Sequence, residues 1–522
     1  MKSTKYILFS LALATGVISC EPEFKDELSN ASYSAGTADF SRYVAVGNSL
    51  TSGYMDGAMY RTGQSYSFPN LLAKQFALVG GGEFTQPSYA DDVNNVGGII
   101  ANGNVIQSPK MIINLKAGGP QVINATPTVT LAPQAKAFNN MGVPGAKSFH
   151  LVAPGYGNPA GLPAAANPYF VRMATTPNTT VLADAVSLNP TFFTNWIGSN
   201  DVLSYALSGG AGVVRSAAET DPTTWGANDI TSTTVFAGAY AAIMDALTAN
   251  GAKGVVATIP NVTSIPYFTT VPFNPLTATA LGQGNPEVGE ATINTLNALF
   301  VGLNQGLESA QQAKRFTTFS TAAGNPVLIV DETLPDMSAV ITAVISQTPY
   351  AALAPQLGTL LGKARHATAS DLLVLTASSV IGTEQGSLPA PFNAFGVTVP
   401  LTDQFVLTPD EQANITTATT SFNQTIRQIA GAKDIPVADM NAIMQQLSTN
   451  GIVYSGIKYN ANYFSTATVG IVLFSLDGVH PNARGYAFVA NEVMKVIEKH
   501  YGAKLPEYVP NTFPGATILP TN

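Results

Sequence analysis

The chain has 522 residues, with 24 Lys and Arg against 32 Asp and Glu, a formal charge of −8 and a single cysteine. It has no basic cluster to meet a phosphate backbone, which weighs against nucleic acid as a partner, and one cysteine excludes an internal disulfide framework. Charged residues make up 11% and hydrophobic ones 46%, the balance of a chain that buries a large core and is not intrinsically disordered.

In chain order, Met1–Lys5 carries two positive charges, Lys2 and Lys5, and Tyr6–Val17 is an apolar run of twelve. That run is shorter than the roughly 20 residues needed to span a bilayer and suits the core of a signal peptide. It ends in Val17-Ile18-Ser19-Cys20, which resembles the lipobox of bacterial lipoproteins. The resemblance implies that residues 1–19 are removed and that Cys20 is lipidated, so that the chain meets the membrane through this lipid anchor. The acidic stretch Glu21-Pro22-Glu23-Phe24-Lys25-Asp26-Glu27 is similar to the export signal of some outer-membrane lipoproteins, which implies an outer-membrane, cell-surface location. Residues 20–40 are polar and read as a tether.

Next come short apolar runs with the length and punctuation of buried strands: Arg42–Val46 stopped by Gly47, Ala137–Gly142, Phe192–Gly198, Gly254–Pro260 and Ile435–Asp439. Helical periodicity precedes the fourth and fifth, over Val235–Ala249 and Ile415–Ala430. It recurs from Tyr486 through Val489, Val493, Val496 and Ile497. Strands alternating with helices predict an α/β fold, a central parallel sheet covered on both faces. One domain over 41–504 is expected, enlarged by insertions at about 80–135 and 263–410. The segment Met337–Leu361 reads as two short apolar helices, forming either core or a lid over an acyl-binding groove. Residues 505–522 form a Pro-rich tail.

Four of the strand or helix ends carry chemistry. A serine hydrolase needs an activated hydroxyl, an imidazole steadied by a carboxylate, and donors aimed at the developing oxyanion. Gly47-Asn48-Ser49-Leu50 presents a hydroxyl after the first strand. Gly145 follows the second strand, where a glycine lets substrate approach a backbone N–H. Asn200, in Gly198-Ser199-Asn200-Asp201, offers a neutral amide donor. Asp477 lies three residues ahead of His480, so one turn can bring the carboxylate to one ring nitrogen while the other faces Ser49. Taken singly, these residues are ordinary helix caps and turn formers. Their order and placement together lift them above that.

These four blocks, in this order, resemble the SGNH hydrolases, also called GDSL lipases or esterases. The resemblance implies a flavodoxin-like three-layer α/β/α sandwich and ester cleavage through an acyl-enzyme. It assigns Ser49 as nucleophile, Asp477 and His480 as the other triad members, and Ser49, Gly145 and Asn200 as oxyanion-hole donors. Two departures stand out. Asn48 occupies the position of the family's aspartate, and far more chain separates Ser49 from Gly145, and Asn200 from His480, than a minimal member needs.

The other histidines read as bystanders: His500 at a helix C-terminus, His366 exposed beside Arg365, and His150 a candidate for the pocket wall. Asp439 is an alternative triad acid, less suited than Asp477 because of its distance in sequence from His480. No metal site or cofactor is expected, since there is no Cys/His cluster, cation loop or phosphate loop. The expected substrate is a lipid or other acyl ester. The alternatives are a carbohydrate acetyl esterase, with the 80–135 insertion building a polar cleft, and a non-catalytic surface lipoprotein that keeps the fold.

Overall fold

Five strands form the central sheet: β1 (Tyr43–Gly47), β2 (Asn140–Gly142), β3 (Phe192–Trp196), β4 (Lys253–Ala257) and β5 (Val437–Ala438). In the computed structural model, which describes residues 32–116, 119–465 and 467–519, all five run parallel in the order β5-β4-β3-β1-β2. Read from the other edge this is 2-1-3-4-5, a doubly wound order whose direction of growth reverses at β1. The expected signal peptide, residues 1–19, and the expected lipidation site Cys20 lie outside the described residues.

The helices that matter here are α1 (Ser49–Ser52), α2 (Phe68–Phe76), α3 (Val181–Ser187), α4 (Asn200–Leu207), α5 (Thr233–Thr248), α6 (Pro286–Ser309), α7 (Ser338–Ile345), α8 (Ala354–Leu361), α9 (Pro409–Ala432), α10 (Met440–Thr449) and α11 (Ala483–Tyr501). Strand side chains alternate between faces. Val44, Val46, Phe193 and Val256 therefore enter one core, with residues of α5 and α9. Tyr43, Ala45, Phe192, Val255 and Ala257 enter a second, with residues of α2 and α11. Such two-sided burial explains why these strands read as continuous apolar runs.

The first core continues without a break into the 263–410 insertion, taking in Leu296 and Phe300 of α6 with Ile341, Ile345, Leu357 and Leu361 of α7 and α8. At about 1.5–3 kcal/mol per buried aliphatic side chain, that surface is committed to the interior. The lid reading of Met337–Leu361 is thereby corrected: the segment does form two helices, but they pack on each other and α7 packs on α6.

Both ends of the described chain are tied down. Ser34 pairs with Lys504, Thr37 N–H donates to Tyr501 O (2.8 Å), and Phe40 is buried, so the expected tether is already docked from Ser34 onward. The Pro-rich tail wraps the surface: Tyr508 exchanges two hydrogen bonds with the Asn491 side chain, and Ile518–Leu519 pairs with Met111–Asn114 of the 80–135 insertion. Among the described residues, no helix is long and apolar enough to cross a membrane.

Candidate active site

Ser49, Gly145 and Asn200 follow the carboxyl ends of β1, β2 and β3, three adjacent strands at the point where the strand order reverses. In a doubly wound sheet this is where a crevice opens. Asn48 caps α1, its Oδ1 accepting from Leu50 N–H at 3.0 Å, which sets Ser49 at the first position of the helix. The Nδ2 of Asn48 is buried without a partner. An aspartate there would keep the cap, so the departure at residue 48 leaves the local geometry intact. Gly142 allows β2 to approach α1, since a Cβ there would stand 2.3 Å from Ser52 N.

His480 Nε2 lies 2.9 Å from Ser49 Oγ, and His480 Nδ1 lies 2.9 Å from Asp477 Oδ2. The three-residue spacing works because Asp477 Oδ1 also accepts from the N–H groups of Val479 and His480, each at 2.9 Å. The carboxylate thus folds its own loop around itself through Oδ1 and presents Oδ2 to the ring. Ser475 N–H donates to His480 O (2.8 Å) and closes the loop from behind. Asn482 then caps α11 through Gly485 N–H (2.9 Å) while its amide donates to Val472 O and Phe474 O. Burial alone would raise the Asp477 pKa, but the His480 charge and these hydrogen bonds outweigh it and hold the carboxyl down at about 2.

On the far side of Ser49, Val143–Ala146 is a β-turn closed by Ala146 N–H to Val143 O (3.1 Å), with Pro144 second and Gly145 third at φ +80°. A Cβ at Gly145 would meet nothing closer than 3.8 Å, so the glycine answers to the backbone angle and not to crowding. Asn200 Nδ2 donates to Ala146 O at 2.9 Å, which ties α4 to this turn and leaves the second amide hydrogen for another acceptor. Asp201, fully buried, accepts from both the N–H and the hydroxyl of Ser148 and fastens the turn again. The backbone N–H groups of Ser49 and Gly145 donate to no protein group among the described residues.

Two cavities meet at Ser49 and His480. One, about 500 Å³ and open, is bordered by Tyr54, Gly145, Asn167, Tyr169, Ser204 and Tyr267. Each insertion reaches it, the first through Gln107 and the second through Tyr267. The other is narrow, about 90 Å³, and apolar. It runs between α10 and α11.

All five sequence-predicted site residues of the folded domain come together. Asp439 does not join them: it caps α10 and pairs with Arg427 at 2.6 Å. His150 lines neither cavity, stacking on Tyr156 and accepting from Lys147 N–H. His366 is buried, contrary to expectation, with Phe300 and Phe319 against its ring; burial drives its pKa down to about 3. The one grouping of three carboxylates close enough to share an ion among the described residues, Glu332, Asp403 and Glu411, borders neither cavity.

Sequence reasoning missed two supports of the triad, Asp56 and Ser475. Ser475 Oγ donates to Asp477 Oδ1 (2.9 Å) and accepts from Asp56 N–H (2.9 Å). It also missed α10, although Met440, Met444 and Leu447 recur at helical spacing.

No family model matches this chain, and no curated protein matches it.

Proposed function

We propose that this protein is a serine ester hydrolase of the SGNH type, with its fold the flavodoxin-like α/β/α sandwich of that family, held at the outer membrane by a lipid on Cys20. The observation that carries the reading is the unbroken chain Asp477–His480–Ser49, with both contacts at 2.9 Å, beside the backbone N–H groups of Ser49 and Gly145, which donate to no protein group among the described residues. A non-catalytic surface protein has no need of a hydroxyl, an imidazole and a depressed carboxylate held in line.

His480 Nε2 takes the proton of Ser49 as Oγ attacks the ester carbonyl carbon. The oxyanion that forms is met by the N–H groups of Ser49 and Gly145 and the free amide hydrogen of Asn200. Asp477, ionised at every working pH, fixes the ring tautomer and stabilises the imidazolium. As the tetrahedral adduct collapses, His480 returns the proton to the leaving alkoxide, and an acyl group remains on Ser49. Water, deprotonated by the same ring, then releases the acid. No step calls on a metal or cofactor.

The test is hydrolysis of p-nitrophenyl acetate and longer esters by the purified chain beside Ser49→Ala. Turnover by the wild type that falls at least about 10³-fold in the variant supports the reading. Equal turnover by both rejects it.

A further inference from the structure

The narrow cavity beside Ser49 is lined by Met440, Ile443, Met444 and Leu447 of α10 and by Phe488 and Val489 of α11. The first four sit at i, i+3, i+4 and i+7, so a single helix stripe forms one wall. From Met440, next to the carboxyl end of β5, the stripe descends about 10 Å to Leu447 at 1.5 Å per residue. Ser49, Asn200 and His480 line both this cavity and the open cleft, so the two meet at these residues.

No side chain along the α10 wall donates a hydrogen bond to a sugar or a headgroup, so this wall suits an apolar group. The volume, about 90 Å³, is several times what one water needs, and two methionines with three rotatable bonds each can shift to admit more. The open cleft on the other side is different, bordered by the polar side chains of Gln107 and Ser204.

On the basis of the esterase reading above, we propose that the narrow cavity receives the acyl chain of a medium-length fatty ester, of about eight carbons, while a polar alcohol occupies the open cleft. Met444 and Leu447 set the chain length. The division suits the order of events. The alcohol leaves first and must reach solvent past His480, which the open cleft allows. The acyl group stays esterified to Ser49 until deacylation, and the narrow apolar slot keeps its chain clear of the side from which water enters. Each methylene buried raises kcat/KM about fourfold, the equivalent of about 0.8 kcal/mol, until the slot is full.

Two ester series test this: p-nitrophenyl esters from acetate to laurate, which vary the acyl chain, and acetates of methanol to octanol, which vary the alcohol. Each is run with the wild type, Met444→Trp, Leu447→Trp and Leu447→Ala. The wild type is expected to prefer octanoate over acetate by at least tenfold. The tryptophan variants should lower the octanoate-to-acetate ratio at least tenfold, and Leu447→Ala should move the optimum to longer chains. Opposite shifts from filling and emptying the slot cannot come from a folding defect. Sensitivity to the variants in the alcohol series alone would assign the slot to the alcohol and overturn the proposal. A flat acyl profile with brisk acetate hydrolysis would also overturn it, leaving the esterase reading intact and favouring short acetyl substrates. Absence of turnover on every ester would remove both.

Discussion

Asp56 and Asp477 are each clasped to the backbone of the residue next to the other. Asp56 Oδ1 accepts from Leu476 N–H at 3.0 Å, and Asp477 Oδ2 accepts from Gly57 N–H at 2.9 Å. Tyr60 holds the other oxygen of Asp56 at 2.8 Å, so a buried carboxylate from the loop after α1 aligns the carboxylate that aligns His480. Asp56→Ala strands the Leu476 N–H and the Tyr60 hydroxyl, at about 1–3 kcal/mol for each group left unpaired. The expected outcome is lower thermal stability with kcat down about tenfold and KM little changed, because Asp477 is loosened while the substrate cavities are untouched. Asp56→Asn, which keeps an acceptor for Leu476, should recover most of kcat. Steady-state kinetics on the two variants decide it.

The same residue predicts a pH dependence. Burial raises the Asp56 pKa to about 6, opposed by the bonds from Leu476 and Tyr60 and reinforced by the charge on Asp477. The folded chain therefore holds this proton more tightly than the unfolded chain, whose carboxyl titrates near 3.8. The resulting stability is complete below pH of about 4 and is lost as pH rises through about 6, with about 1.4 kcal/mol per pH unit as the ceiling. Asp477 acts in the opposite sense and in a lower window: its contribution is present above about 4 and is lost as pH falls through about 2. Urea midpoints between pH 4 and 7 should fall less steeply for Asp56→Asn than for the wild type.

Asn200→Ala should lower kcat roughly 10²-fold with KM nearly constant, the usual loss for one oxyanion donor. Loss of the bond to Ala146 O also frees the turn that carries Gly145, so the effect belongs to both donors together. A raised KM at constant kcat would instead assign Asn200 to ground-state binding.

Ile341→Ala and Ile345→Ala should each cost about 2–5 kcal/mol in denaturant unfolding, the range for emptying a packed aliphatic site, and leave the acyl-chain profile of surviving activity unchanged. A shifted profile without destabilisation would restore the lid.

The parts of the site that could be read from sequence are those whose logic is local. Asp477 reaches His480 through one turn, and Ser49, Gly145 and Asn200 each follow a strand marked by its own apolar run. The strands were legible because burial on both faces leaves a continuous apolar signature. Asp56 left none: its partner Leu476 is 420 residues away, and an Asp-Gly pair reads only as a turn. His366 was misjudged for the same reason, since beside Arg365 it looks exposed, while the rings that enclose it come from α6 and from Phe319. For Met337–Leu361, composition gave the helices but could not distinguish permanent burial from a closing lid. The predicted strands overrun the ladder at several ends: β5 covers only Val437–Ala438 of Ile435–Asp439, β3 stops at Trp196, β4 stops at Ala257, and Ala137–Asn139 lies outside β2. There Asn139 turns its amide to Tyr43 O (2.7 Å), and the β2 ladder begins one residue later.

Ser49 is proposed as a nucleophile activated by His480. Ser49→Ala and His480→Ala should each remove at least about 10³-fold of kcat, and the double variant should be no worse, because the pair acts as a unit. The most direct measurement is covalent labelling by a fluorophosphonate, followed by mass spectrometry of the labelled peptide. One adduct per chain is expected, on Ser49, absent in Ser49→Ala and far slower to form in His480→Ala. Labelling that persists undiminished in Ser49→Ala, or a wild type that does not react, would contradict it.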